Sequence, residues 1–316
     1  MTERAPAFPR LAVIGLGLLG GSVALAARAR GVAAHIVGAG RSRESTASAL
    51  RLRAVDEIAA PSDAVRDADL VVLATPVSAM EGELARCAHA LRAGALVTDV
   101  GSVKSPLTDV LPGLLPPGVV YVGAHPMAGS HERGIAHACA DLFEGAACVV
   151  TPTHGTPAEA IDRVAAFWRA LGARVVLRDP AAHDAEVAWT SHVPHALAFA
   201  FARALGVAPD GAREVSGAGF RDFTRIAQSD AELWSEILLA NRKSIAGPLQ
   251  EVARRLAEVS HALDANDVDA LERFLGTARE QLARVSNAAR PSGGANPEIP
   301  AAKSAASEGV EKIHHD

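Results

Sequence analysis

The chain is short of the features that would tie it to an exported, membrane-bound or nucleic-acid-binding role. Three cysteines, Cys87, Cys139 and Cys148, with no C-x-x-C pair and an odd total, argue against a disulfide framework and for a reducing, cytoplasmic setting. No apolar run approaches the roughly 18 residues of a membrane span. The opening MTERAPAFPRLAVIGLG has no apolar core followed by a cleavage site. A net charge of -5 implies no basic face for nucleic acid. No repeat with a period of about 20 to 50 residues is apparent.

What is present is a globular composition. With 316 residues and 49% hydrophobic side chains, the chain can bury two cores. Over residues 1–179, RLAVIGLG, AHIVGAGR, DADLVVLATPV, GALVTDVGSVK and GVVYVGAHPMAG read as strands, separated by helical stretches such as VSAMEGELARCAHAL. ACVVTPT, PAEAIDRVAAFWRALG and ARVVLRD read as a closing β-α-β unit. This alternation predicts an α/β domain, a Rossmann-type doubly wound parallel sheet with helices on both faces. Asp179-Pro180 is a helix start, an N-cap followed by proline in the first turn. Beyond it the periodicity is helical, which predicts an all-helical domain over 180–286. Residues 287–316, rich in Pro, Gly, Ala and Ser, are expected to form a disordered tail.

Gly15, Gly17 and Gly20 form G-x-G-x-x-G between the first strand and its helix. The first glycine permits the tight turn, the second admits a pyrophosphate to the backbone, and the third lets helix and strand pack closely. Amides at the helix start, at Leu18 and Leu19, then face the phosphates. In such a sheet the ligand lies across the carboxyl ends of the strands. Thr75-Pro76, the stretch Asp99 to Lys104 with Ser102, and His125 should therefore line one crevice. The second strand ends in Gly40-Arg41-Ser42-Arg43, where an NAD-specific domain places an acid. Arginines there attract a 2'-phosphate, so NADP is expected over NAD.

His125 ends an apolar run and is followed at once by proline. On the residues alone it is a metal ligand, the base for a nucleophile, a proton acceptor in a cofactor reaction, or packing. VIGLGLLGGS, TDVGSVK, GAHPMAGSHERG, LFEG followed by VVTPT, SHVPHALAFA and GFRDFTRIAQSDAELWSEILLAN together resemble the prephenate and arogenate dehydrogenases of tyrosine biosynthesis. The resemblance runs through residues 11 to 241. It implies an oxidative decarboxylation with no metal, in which a cyclohexadienol gives its C4 hydride to NAD(P)+ and loses CO2. It implies that His125 takes the 4-hydroxyl proton and that Ser102 places that hydroxyl against the nicotinamide. It further implies that Arg225 grips the ring carboxylate and that Ser191 and His195 border the substrate side chain; Trp234 reads as core or as a wall of the substrate site. His192 reads as structural, and His183 with Asp184 as a helix-start network.

A homodimer through the helical domain is expected, both from the resemblance and from the apolar runs LAFAFARALG and LWSEILLAN. Two other readings compete. Another two-domain hydroxyacid or imine dehydrogenase would want a catalytic lysine in the helical half, where Lys243 alone lies between residues 180 and 300. A noncatalytic NAD(P)-binding regulatory protein would retain the fold without turnover.

Overall fold

The computed structural model describes residues 7–129 and 132–288. Short β-branched runs form β1 (Phe8–Ile14), β2 (Ala33–Ala39), β3 (Glu57–Ile58), β4 (Leu70–Leu73), β5 (Leu96–Asp99) and β6 (Val120–Tyr121). All are parallel, in the order β3-β2-β1-β4-β5-β6. Alternate residues feed two cores. Leu11, Val13 and Val72 pack on one face with Phe167 and Trp168, whereas Ala12, Ile14, Val71 and Leu73 pack on the other with Met80 and Leu84. Burial on both faces is why these strands read as unbroken apolar runs.

The helices of this half are α1 (Leu18–Ala29), α2 (Arg43–Arg51), α3 (Pro61–Val65), α4 (Val77–Cys87), α5 (Ser105–Val110) and α6 (Ala158–Ala170). There follow α7 (Pro180–Val187), a π-helical turn over Ala188–His192, α8 (Val193–Ala204), α9 (Ala218–Arg225), α10 (Ala231–Ala240), α11 (Arg242–Asp264) and α12 (Val268–Ala288). Asp179 caps α7 by accepting from the amides of Ala181 and Ala182.

The run GVVYVGAHPMAG, one strand on its pattern, is two. After β6 the chain leaves the parallel sheet, and β7 (Gly123–Pro126) pairs antiparallel with β8 (Ala147–Thr151), which pairs parallel with β9 (Arg174–Leu177). The β8-α6-β9 unit therefore closes a separate three-stranded sheet. The reason lies at the end of β5. The Asp99 carboxylate accepts from the Ala124 amide, and the Lys104 ammonium donates to the Ala124 carbonyl. Side chains thus replace the ladder partners that would have continued β6.

The chain divides after Val252 into two compact units. The first holds both sheets and the helices to α10. The second comprises the end of α11 with α12, whose Leu256, Leu263, Leu275 and Leu282 are exposed. Asn287 and Ala288 complete α12; the rest of the tail expected from 287 lies outside the described residues. Among those residues no helix is long and apolar enough to cross a membrane. All three cysteines are free.

Candidate active site

The glycine turn follows its spacing closely. Gly15 has φ +103°, and a Cβ there would lie 2.6 Å from the Ala74 carbonyl. A Cβ on Gly20 would lie 1.8 Å from the Gly15 oxygen. On Gly17 it would meet nothing within 4 Å. Two glycines are thus required by the protein's own packing, while the third faces open space where a ligand can approach. Gly17 caps α1 without any side-chain hydrogen bond, and half-buried Leu18 and Leu19 begin the helix. At the end of β4, Thr75 has a buried hydroxyl with no hydrogen-bond partner among the described residues, and Pro76 opens α4. A buried hydroxyl normally has a partner, so this orphan fits a cofactor hydroxyl or phosphate. The cradle and the orphan together suit a dinucleotide.

Arg41, Ser42 and Arg43 are all exposed beyond β2. The Ser42 hydroxyl accepts from the Ser45 amide at 3.2 Å as the N-cap of α2. Its proton stays available to a ligand. Neither arginine is ion-paired among the described residues, so both charges are open to an anion.

The end of β5 carries a buried ionic cluster. Asp99 and Lys104 are both fully buried and paired, and Asp99 also accepts from Tyr121 Oη at 2.7 Å and from the Gly101 amide at 2.6 Å. Burial lowers the Lys104 ammonium and the Asp99 charge restrains that fall. Burial, reinforced by Asp99, raises the Tyr121 phenol. This cluster fixes the Ala124 backbone and with it the direction of the next side chain, His125. Ser102, within the same loop, is half-buried and its hydroxyl makes no hydrogen bond to the described residues.

His125 Nδ1 lies 2.8 Å from His183 Nε2, and His183 Nδ1 lies 2.8 Å from Asp184 Oδ1. His125, His183 and Asp184 are all buried. The Asp184 carboxylate also accepts from the amides of Lys104 and Ser105 at 2.8 Å each. Burial pushes its carboxyl upward, but the hydrogen bonds from His183 and these amides outweigh that and hold it below the usual value. Burial, then the neighbouring His183, Lys104 and His192, holds the His125 imidazolium well below the usual range. The ring is therefore neutral at pH 7, as a base must be.

The wall opposite is built on the π turn. Pro194 has no amide to donate, and the turn before it widens to the π form. His195 donates from Nδ1 to the Ser191 carbonyl at 2.9 Å, which leaves Nε2 as an acceptor. Its ring stacks on Trp234 at 3.5 Å between centroids. Burial and then the Arg225 charge hold the His195 imidazolium down, with the Ser191 carbonyl opposing both. That charge places exposed Arg225, the last residue of α9, within electrostatic reach of His195. His192 is buried beside them, and burial lowers its pKa to about 4. Buried Asn241 donates to the Asp184 carbonyl at 2.8 Å and lies 3.0 Å from His192 Nδ1. Sequence reasoning left His183, Asp184 and Asn241 outside the site. No spacing signals that His183 meets a ring 58 positions earlier.

Residues 23–177 match a family model described as the prephenate dehydrogenase nucleotide-binding domain, and residues 179–277 match the prephenate dehydrogenase dimerization domain. A prephenate dehydrogenase of Bacillus subtilis is 35% identical over 272 residues, spanning 84% of this chain and 73% of that protein. A cyclohexadienyl dehydrogenase of Zymomonas mobilis is 34% identical over 285 residues, spanning 87% of this chain and 96% of that protein. The crystal structure of Aquifex aeolicus prephenate dehydrogenase in complex with hydroxyphenyl propionate and NAD+ aligns with a TM-score of 0.81 at 28% identity. That alignment spans 90% of this chain and 100% of that one.

Proposed function

The chain belongs to the prephenate dehydrogenase family, and from that premise we propose how its own residues carry the reaction. It is an oxidoreductase of tyrosine biosynthesis that converts prephenate to 4-hydroxyphenylpyruvate, or arogenate to tyrosine, with loss of CO2. Bound NAD(P)+ supplies the hydride acceptor. The glycine cradle with Leu18 and Leu19, Thr75 and Pro76 would hold it, and Ser102 would lie at its nicotinamide end. The protein's remaining task is to orient the ring, accept the 4-hydroxyl proton and neutralise two carboxylates.

His125 takes the proton at Nε2. The observation that carries this is its buried ring, with Nδ1 occupied by His183 and Nε2 making no hydrogen bond among the described residues; burial also disfavours its charged form. Ser102 steers the hydroxyl toward that nitrogen. Arg225 grips the ring carboxylate with its planar guanidinium, while Ser191, His195 and Trp234 border the side chain. As C4 gives up hydride, the hydroxyl becomes a carbonyl, and loss of CO2 restores the aromatic ring.

The reading extends to three finer points. Arg41, Ser42 and Arg43 recognise a 2'-phosphate, so NADP+ is preferred. By role, as distinct from the compact units that part after Val252, a dinucleotide-binding domain, 1–179, is followed by a helical domain, 180–286, a reading supported by the Asp179 cap and by the two family matches that meet there. Two chains pair through their helical domains, supported by the exposed leucines of α11 and α12. The test is incubation of purified protein with prephenate or arogenate and each cofactor, followed by absorbance of reduced nicotinamide. Turnover with release of 4-hydroxyphenylpyruvate or tyrosine is expected. Absence of reduction with every pair would overturn the assignment, and a higher kcat/KM with NAD+ would overturn the cofactor preference.

A further inference from the structure

We propose that His183 and Asp184 are positioning residues that fix the tautomer of His125 and stabilise the charge it acquires when it takes a proton. The inference rests on the assignment of His125 as the base, and it follows from hydrogen-bond chemistry. An ionised carboxylate only accepts. Asp184 therefore obliges His183 Nδ1 to carry a proton, and a neutral His183 then has its lone pair on Nε2, facing His125 Nδ1. A neutral His125 answers that lone pair with Nδ1–H, so its own lone pair sits on Nε2. The opposite tautomer would set two lone pairs against each other 2.8 Å apart in a buried site. The chain ends at a fixed point, because the Asp184 carboxylate is itself held by the amides of Lys104 and Ser105.

Once His125 Nε2 is protonated, Nδ1–H donates a charge-assisted bond to His183, whose far side is anchored to an anion. Other titratable groups surround the ring. Lys104 lies beyond β5, Asp99 at its end, Cys148 on β8 opposite Pro126, Tyr121 on β6 and His192 in the π turn. A positive His183, Lys104 and His192 would each oppose a positive His125, so His183 supports that charge only as a neutral acceptor. Asp99 is committed to Lys104, Tyr121 and the backbone. Asp184, through His183, is the anion aligned with the ring. Where a buried carboxylate orients a catalytic histidine, replacing it by its amide fixes the wrong tautomer and lowers kcat by about 10^4.

Two variants of similar volume isolate the acceptor. H183Q retains a carbonyl oxygen that can take His125 Nδ1–H, whereas H183M places an apolar side chain there. We expect H183M to lower kcat by about 100-fold or more, the usual worth of a positioned base. The substrate KM and the cofactor Kd should stay near wild type. H183Q should recover at least tenfold of the loss, on the order of one neutral hydrogen bond. In D184N the acid limb of kcat/KM should move to lower pH, because the anion that favours imidazolium is gone. Circular dichroism and cofactor titration establish that each variant is folded, and the Met and Gln pair decides the matter should D184N be unstable. Equal kcat in H183M and H183Q, or a wild-type kcat in H183M, would overturn the proposal. H125N separates this from the underlying assignment: an active H125N removes His125 as the base, whereas an inactive H125N beside a fully active H183M removes only the positioning pair.

Discussion

Gly17 and Gly20 stand three residues apart, yet one substitution divides them. A methyl group on Gly17 enters open space at a φ of -91°, so Gly17→Ala should fold with an unchanged Tm and lose cofactor affinity by about tenfold or more, roughly one strong contact. Gly20→Ala drives its Cβ into the Gly15 oxygen and should cost about 1–3 kcal/mol of stability, as overpacking does. Thermal melts with and without cofactor distinguish the two. Arg225→Ala should mainly raise the substrate KM, since a carboxylate clamp acts in ground and transition states alike. Arg41→Ala and Arg43→Ala should each lower the ratio of kcat/KM for NADP+ over NAD+ by about tenfold, the worth of one charge-assisted hydrogen bond. Steady-state kinetics with both cofactors checks all three.

Among the elements, the parallel strands and long helices were legible because each obeys a local rule: apolar runs buried on two faces, a glycine turn, the Asp179-Pro180 start. The break between β6 and β7 was not. It depends on Asp99 and Lys104 capturing the Ala124 backbone, contacts made by side chains 25 and 20 positions away in sequence. The candidate site divides the same way. The placement of Ser102 and His125 at strand ends was readable from pattern, whereas the contacts of His183, Asp184 and Asn241 form only when α7, α10 and β7 come together. The π turn is a further example, since Pro194 announces a helix start more readily than a widened turn. Pro194→Ala restores an amide and allows a regular α turn, which would rotate Ser191 relative to His195. The expected result is a higher substrate KM with cofactor affinity unchanged, read by kinetics and fluorescence titration.

For the whole molecule, acid should weaken the fold before its carboxylates titrate. A histidine held neutral by burial has a folded pKa below its unfolded value of 6.5, so the unfolded chain takes up protons first. Stability is full above pH 6.5 and falls as pH drops toward the folded value. His192 alone accounts for on the order of 3 kcal/mol across the window from 6.5 to about 4. His125, whose charged form burial also disfavours, adds to the loss below pH 6.5. Asp184 adds its share only below its unfolded value of 3.8. Denaturant titrations at stepped pH should show the decline, and His192→Gln should flatten it. The exposed apolar side chains of α11 and α12 predict a dimer in sedimentation at micromolar concentration. Replacing Leu275 and Leu282 with glutamate should shift it toward monomer, and a wild-type chain that sediments as a monomer would refute the pairing.

The enclosed ammonium of Lys104 has a chemical consequence. The chain has four lysines; Lys243 is exposed, whereas Lys104 has no solvent-accessible surface. An acylating reagent can modify Lys243 on the native protein but reaches Lys104 only after β5 and β7 separate. Mass spectrometry of timed acylation therefore turns Lys104 into a clock for local opening of the active site, and bound cofactor or substrate should slow that clock without changing the labelling of Lys243.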